Sequence, residues 1–252
     1  MNTWILLRGL TRENRHWGAF PERLAKALPE ARVVLLELPG NGERNGEASP
    51  WTITEAAQQC RTDLKKLGLP PPYHLLAMSL GGMVATAWAA GHPEEIAACV
   101  LVNTSFGSVS PLHHRLRPRA WPTLLRLLIS GRPEARERHI FQLTTCLAAA
   151  SDELIREWTA IRQSRPVRVG NAWRQLIAAA RFRPPQAPPV PTLVLAGGGD
   201  RLVDPRCSAE IARRWRCPLV IHPTAGHDLP LDDGGWVARQ VAEWCPANAE
   251  PC

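Results

Sequence analysis

No apolar run in this 252-residue sequence approaches the ~20 residues that a bilayer-crossing helix requires. The first nine residues, Met1 to Gly9, have neither the basic start nor the long apolar stretch of a signal peptide. They read instead as a core strand that begins almost at once. The seven cysteines are odd in number and show no C-x-x-C spacing. Reduced thiols in a cytoplasmic protein are therefore expected, rather than a disulfide framework or a zinc site, and no metal or cofactor is implied. Repeats and low-complexity tracts are missing, as is any nucleic-acid-binding motif. Lysine is absent between Phe106 and Pro189, where 14 arginines face five acids for a net of +9. The other 168 residues carry 16 bases and 18 acids, so the excess of the +7 chain belongs to one segment. Such a patch is a solvated surface or a seat for an acidic partner; nucleic acid is the poorer match.

What is present is an alternation of short buried strands with helices. Trp4–Leu7, Val33–Leu36, Leu75–Met78 and Ala97–Asn103 are apolar runs without a polar alternation, as expected of parallel strands covered on both faces. Helical spacing follows at Phe20–Leu28, from Thr52/Thr54 to about Leu67, and at Leu80–Ala90. Glu55, three residues after Thr52, predicts a capping box. The rhythm breaks from Phe106 to Pro189, where Trp121–Ile129, Pro133–Ala149, Asp152–Ile161 and Asn171–Ala180 read as helices and no good strand appears. A proline-rich return leads to Thr192–Ala196 and Leu219–Ile221 as strands, with helices at Pro205–Trp215 and Trp236–Trp244. Strands alternating with helices predict an α/β fold around a mostly parallel sheet. Ligands in such sheets bind beyond the carboxyl ends of the strands, so the informative residues sit just after strands.

The central stretch is Tyr73 to Ala85, a buried strand, a tight turn carrying Ser79, and a helix. It has the form of a nucleophile elbow, G-x-S-x-G, with Ala77 in the place of the first glycine and Gly81 in that of the second. A βα turn that merely contains serine is the plain alternative. Two further loops bear on the choice: Asp200 follows the strand Leu193–Leu195 through three glycines, and His227 follows the last strand. A serine hydroxyl needs a base to take its proton, and the base needs a carboxylate to fix its tautomer.

In order, Leu7-Arg8-Gly9-Leu10, Leu38-Pro39-Gly40-Asn41-Gly42, Ala77-Met78-Ser79-Leu80-Gly81-Gly82, Gly199-Asp200-Arg201-Leu202-Val203-Asp204-Pro205 and Ala225-Gly226-His227-Asp228 make the chain resemble the α/β-hydrolase superfamily. It is most similar to its small esterases with an inserted helical cap. The resemblance covers nearly the whole chain. It implies a core of residues 1–105 and 190–252 with a helical cap or lid at 106–189. It also implies Ser79 as nucleophile, His227 as base and Asp200 as acid, with the main-chain N–H groups of Leu10 and Leu80 as the oxyanion hole. Asp204 competes with Asp200, but a helix-start role before Pro205 explains it. His222 competes with His227, but lies nearer the strand. Asp228 is expected to be a turn or cap residue. His16, Trp17, Leu124, Leu128, Phe141 and Trp158 are candidates to line a substrate pocket, against the plainer role of packing. Members of the superfamily often carry histidine where Arg8 stands, and they often begin with antiparallel strands, which are not expected here because Met1 leads almost straight into the first strand. About six strands are therefore expected.

The function implied is a serine hydrolase of carboxylic esters working through an acyl-enzyme. The alternative is an acyl thioesterase or an acyl-carrier-protein ester hydrolase with the same triad. The enzymes that cleave the methyl ester of pimeloyl-acyl carrier protein resemble the chain in size, triad order and cap placement, and their basic cap receives an acidic carrier. A non-catalytic binding module is a third reading, against which all three triad members stand. A serine rather than an aspartate at the elbow argues against dehalogenase and epoxide-hydrolase chemistry.

Overall fold

The computed structural model describes residues 2–129, 131–184 and 186–245, with the backbone alone at 128 and 129. Strands β1 (Asn2–Leu7), β2 (Ala31–Leu36), β3 (Tyr73–Met78), β4 (Ile96–Val102), β5 (Thr192–Gly197) and β6 (Leu219–His222) form one sheet. Their order is β2-β1-β3-β4-β5-β6, and every neighbouring pair is parallel. Side chains alternate between the two faces. Ile5, Leu7, Leu75, Ala77, Cys99 and Leu101 enter one apolar layer, with α2 (Ile53–Lys66), α3 (Leu80–Gly91) and α9 (Arg206–Trp215) packed on it. Trp4, Leu6, Leu76, Met78, Val100 and Leu195 enter the other, covered by α1 (Phe20–Ala27) and α10 (Leu229–Trp244). Leu6, Leu75 and Leu76 are fully buried, each contributing roughly 1.5–3 kcal/mol of burial.

The chain steps outward from β1 to β2 and then crosses back to pair β3 with β1. The strand order reverses there, and the crevice between the carboxyl ends of β1 and β3 is where a ligand has room to enter. Gly9 and Ser79 stand at those two ends. Parallel registers place Leu7 beside Ala77 and Met78 beside Val102, so the loops after β1, β3 and β4 emerge side by side.

Between β4 and β5 run α4 (Leu112–Arg115), α5 (Trp121–Ile129), α6 (Pro133–Thr144), α7 (Asp152–Ser164) and α8 (Val169–Arg181). Phe141, Ile155, Trp158 and Ile161 give this helical segment an apolar centre of its own. Thr52 Oγ1 accepts the Glu55 N–H at 3.2 Å to start α2, and Ser151 Oγ accepts the Leu154 N–H at 3.1 Å to start α7. Two boundaries differ from expectation by more than three residues. Helix α6 stops at Thr144 instead of running to Ala149, and α10 starts at Leu229, with a break at Asp233, instead of at Trp236. The six cysteines among the described residues are all free thiols.

Candidate active site

Ser79 sits at the handover from β3 to α3 with φ 54° and ψ −116°. Positive φ is uncommon for a residue with a Cβ and marks a backbone held by its surroundings. Three bonds hold it: Ser79 N–H donates to the Val102 carbonyl at 2.8 Å, and the Ser79 carbonyl accepts from Thr104 Oγ1 at 2.8 Å and from the Gly82 N–H at 3.0 Å. Gly81 makes the turn sterically feasible. A Cβ there would lie 2.4 Å from the Leu7 carbonyl oxygen and 2.7 Å from that of Arg8. The loop after β1 in turn lies on the serine, since a Cβ at Gly9 would stand 3.2 Å from Ser79 Cβ and 3.7 Å from its Oγ. Leu10 follows directly. Leu80 is the first residue of α3, where helical geometry leaves N–H groups without an internal partner.

Asp200 and His227 meet. His227 Nδ1 and Asp200 Oδ2 are 2.6 Å apart and both side chains are almost wholly buried. The other carboxylate oxygen accepts the N–H groups of Leu202 at 2.8 Å and Val203 at 2.9 Å, so its turn fixes the acid. Burial pushes the His227 imidazole down, but the neighbouring Asp200 carboxylate outweighs it and the net displacement is upward from 6.5. Among the described residues, no hydrogen bond joins Ser79 Oγ to His227. Catalytic contacts of this kind are often long in ligand-free enzymes and tighten with substrate. The two rivals lie elsewhere. Asp204 accepts the Arg206 N–H at 3.0 Å and pairs with that guanidinium at 2.8 Å, at the start of α9. His222 Nδ1 accepts the Ala225 N–H at 3.0 Å and organises the turn before His227.

Three residues that sequence reasoning passed over bind these loops together. Asn103, at φ 47°, donates from Nδ2 to the carbonyls of Gly226 (3.1 Å) and His227 (2.8 Å), and accepts the Gly197 N–H at 2.9 Å. Its position after a strand, and asparagine's tolerance of left-handed backbone, were the available signals. Asp232 accepts four main-chain N–H groups: Gly226 at 2.6 Å, and Cys146, Leu147 and Ala148 at 2.9 Å each. The histidine loop and the turn after α6 thus share one carboxylate. Gln175 of α8 accepts the Thr11 N–H at 2.9 Å and donates to Asn41 Oδ1 at 2.8 Å and Ser49 Oγ at 3.0 Å, holding the residue next to Leu10. No short-range pattern announces these last two contacts.

Asp228 was expected in a turn or cap. It does precede α10, but its carboxylate makes no cap bond and pairs with Arg8. His16 is buried, with Nε2 2.8 Å from Arg12 Nη1 and its ring edge-on to Trp158 at 5.7 Å. Burial first, then the Arg12 charge, push its imidazole well below 6.5. Arg12 also meets Glu137 at 2.8 Å and lies 4.2 Å over the Trp158 ring, and Arg162 closes on the other Glu137 oxygen. Trp17 packs under the Arg8 guanidinium and against Phe20. Phe141 and Trp158 belong to the centre of the helical segment, Leu124 is half-buried in α5, and the Leu128 side chain lies outside the described residues. A metal-ligand set of three, among the described residues, occurs at His92, Glu94 and Glu95. It precedes β4, at the opposite end of the sheet, and Glu95 already binds Arg61 and Trp88 Nε1.

Residues 4–240 match the model of the alpha/beta hydrolase family. A stretch of 99 residues is 34% identical to Lipase LipV of Mycobacterium tuberculosis, covering 39% of this chain and 36% of that protein. A stretch of 90 residues is 33% identical to the pimeloyl-[acyl-carrier protein] methyl ester esterase of Chromobacterium violaceum, covering 36% and 33%. The matched stretch therefore spans about a third of these curated relatives. Among solved structures, a thermophilic esterase from Thermogutta terrifontis superposes with a TM-score of 0.73 at 23% identity, over 97% of this chain and 89% of that one. A hydrolase from Pseudomonas aeruginosa does so with 0.75 at 19%, over 98% and 90%. These likenesses carry the fold. With the family match across nearly all of its length, the chain belongs to the alpha/beta hydrolase family.

Proposed function

We propose that the protein is a serine hydrolase of carboxylic esters, with Ser79, His227 and Asp200 as its triad. The observation that carries this is the buried 2.6 Å His227–Asp200 contact in a loop tied to the same strand ends as the strained Ser79 elbow. Ser79 Oγ attacks the ester carbonyl as His227 Nε2 takes its proton. Asp200 holds the Nδ1 proton and so presents Nε2 as the base. The N–H groups of Leu10 and Leu80 receive the developing oxyanion. Collapse expels the alcohol, protonated by His227, and leaves an acyl-serine. Water, deprotonated by the same imidazole, then releases the acid. No cofactor enters the scheme. Residues 106–189 act as the cap over a core of 1–105 and 190–252. The apolar centre of that segment and the Arg12–Glu137–Arg162 ties to it support this division. Free thiols support a reducing, cytoplasmic setting.

A second reading keeps the site and assigns the acyl group to a carrier, as an oxygen ester or a thioester. The net +9 of residues 106–189 and the printed name of the Chromobacterium relative support it. The test is a fluorophosphonate probe on wild type and Ser79→Ala, followed by p-nitrophenyl esters of increasing chain length and by carrier-bound acyl groups. Absence of Ser79 labelling in the folded wild type would sink the hydrolase reading. Carrier substrates turned over no faster than free esters, with no response to mild salt, would remove the second reading.

A further inference from the structure

The loop carrying Leu10 and the loop carrying His227 are joined by a buried ion pair. Arg8 directly precedes Gly9-Leu10, and Asp228 directly follows His227. Arg8 Nη1 meets Asp228 Oδ1 at 3.1 Å and Nη2 meets Oδ2 at 2.7 Å, with each side chain only 3% exposed. This is the two-pronged geometry in which a guanidinium fixes both the distance and the plane of a carboxylate. Each end is anchored independently. The Arg8 carbonyl is wedged under Gly81, and its guanidinium lies 4.7 Å from the centre of the Trp17 ring. The Asp228 N–H donates to the Thr144 carbonyl at 2.7 Å, and its carbonyl accepts the N–H groups of Leu231 and Asp232 at 3.0 Å each. Arg8 Nε is buried with no hydrogen-bond partner, so the head group is oriented for Asp228 at the expense of its third donor site. Such an arrangement is poor value for stability alone, because two desolvated charges seldom outperform apolar side chains of similar volume.

We propose that the Arg8–Asp228 pair is a positioning pair, which locks the oxyanion-hole loop to the histidine loop and presents balanced charge to the imidazole. The inference rests on the triad reading above. The charged groups that face His227 are Asp200 from the loop after β5, Asp228 beside it, and Arg8 from the loop after β1. Asp232 stands in the first turn of α10, with its carboxylate taken up by main-chain N–H groups. Asp228 favours the imidazolium and Arg8 opposes it, so removing one partner leaves the other unbalanced. A conserved charge with altered geometry, as in Arg8→Lys, separates positioning from electrostatics.

The experiment measures the pH dependence of Ser79 labelling by a fluorophosphonate and of kcat/KM for a short p-nitrophenyl ester, in wild type, Arg8→Lys, Arg8→Gln, Asp228→Asn and the Arg8→Gln/Asp228→Asn double variant. Asp228→Asn is expected to move the acid limb down and Arg8→Gln to move it up, each by about half a pH unit or more. The double variant falls between them. The plateau drops at least about tenfold in every variant, Arg8→Lys included, because the loops are no longer locked. Where a single neutralisation does not fold, Arg8→Lys and the double variant, neither of which buries a lone charge, decide the matter by their plateaus. A wild-type plateau in either, or limbs that stay put or move in the same direction in the singles, overturns the proposal. An unlabelled wild type would instead overturn the triad reading, so the two failures are distinguishable.

Discussion

Replacing Gly81 by alanine is expected to lower both stability and Ser79 reactivity, and the structure sets the size of each loss. The new Cβ would stand 2.4 Å from the Leu7 oxygen, 2.7 Å from the Arg8 oxygen and 2.9 Å from the Leu7 carbonyl carbon. A carbon and a carbonyl oxygen approach to about 3.3 Å, so α3 must withdraw from β1 by roughly 1 Å. All three obstacles are backbone, which no rotamer change relieves. Overpacking of this kind costs about 1–3 kcal/mol, and rigid neighbours place Gly81→Ala near the top of that range, about 3 kcal/mol. For a chain of this size each kcal/mol lowers the melting temperature by about 2–4 °C, giving a loss of about 6–12 °C. Ser79 travels with the helix, and a misplacement of about 1 Å is worth roughly a hundredfold in rate. Gly91, in the last turn of the same helix, is the internal control. A Cβ there meets nothing within 4 Å and its φ is not positive. Gly91→Ala should therefore leave labelling unchanged and raise stability by up to about 1 kcal/mol. Thermal melts by circular dichroism and fluorophosphonate labelling rates read both quantities. A Gly81→Ala protein that melts within about 2 °C of wild type and labels at the wild-type rate would refute the wedged elbow.

Three further outcomes follow from the charged groups. In the free enzyme kcat/KM should rise with pH as His227 loses its proton, with a midpoint above the ordinary histidine value; Asp200→Asn should shift that midpoint down and cut kcat by about 10³–10⁴, and an unmoved midpoint would break the assignment of Asp200. Glu137→Gln strands the largely buried Arg12 and unpairs the half-buried Arg162, for an expected loss of about 3 kcal/mol, with hydrogen exchange rising first in α6 and α7; unchanged protection there would count against the tie. Burial raises the Glu37 carboxyl from 4.5 to about 7. A raised value contributes stability that is whole below 4.5 and lost as pH climbs through about 7. Glu37→Gln, which keeps an oxygen for the Asn14 N–H, should thus melt higher than wild type at pH 8 and flatten the decline between, as differential scanning calorimetry would register.

The strands were legible because each is a short apolar run that fills both faces of the sheet, and the strand-to-helix turn at Ser79 was legible because it is local. Contacts beyond the reach of local pattern were not legible, for definite reasons. Cys146 to Ala149 are adequate helix formers, so α6 was expected to include them. The N–H groups of Cys146, Leu147 and Ala148 are claimed instead by Asp232, which is more than 80 positions away. Asp228 has the composition of a turn residue, yet its partner Arg8 is 220 positions upstream. Phe141 and Trp158 have the size and polarity of pocket walls, and the same properties place them in the centre of the helical segment. The early start of α10 at Leu229 was hidden by Gly234 and Gly235, residues that weaken any helix reading.

Helix α8 meets the sheet-bearing part of the molecule through Ala178, which enters the main apolar layer, and through two amides. Asn171 accepts the Ser49 N–H and donates to the Glu47 carbonyl, and Gln175 spans Thr11, Asn41 and Ser49. Directional contacts of this type tolerate little sliding, unlike an oily seam that can be repacked. The helical segment is therefore not a freely exchangeable module. A chimera that grafts residues 106–189 from a relative should fold in both halves yet seat badly, unless Thr11, Asn41 and Ser49 are transplanted with their amide counterparts. In recombination, the heritable unit of this fold reaches past the segment's own ends and into the loops that surround Ser79.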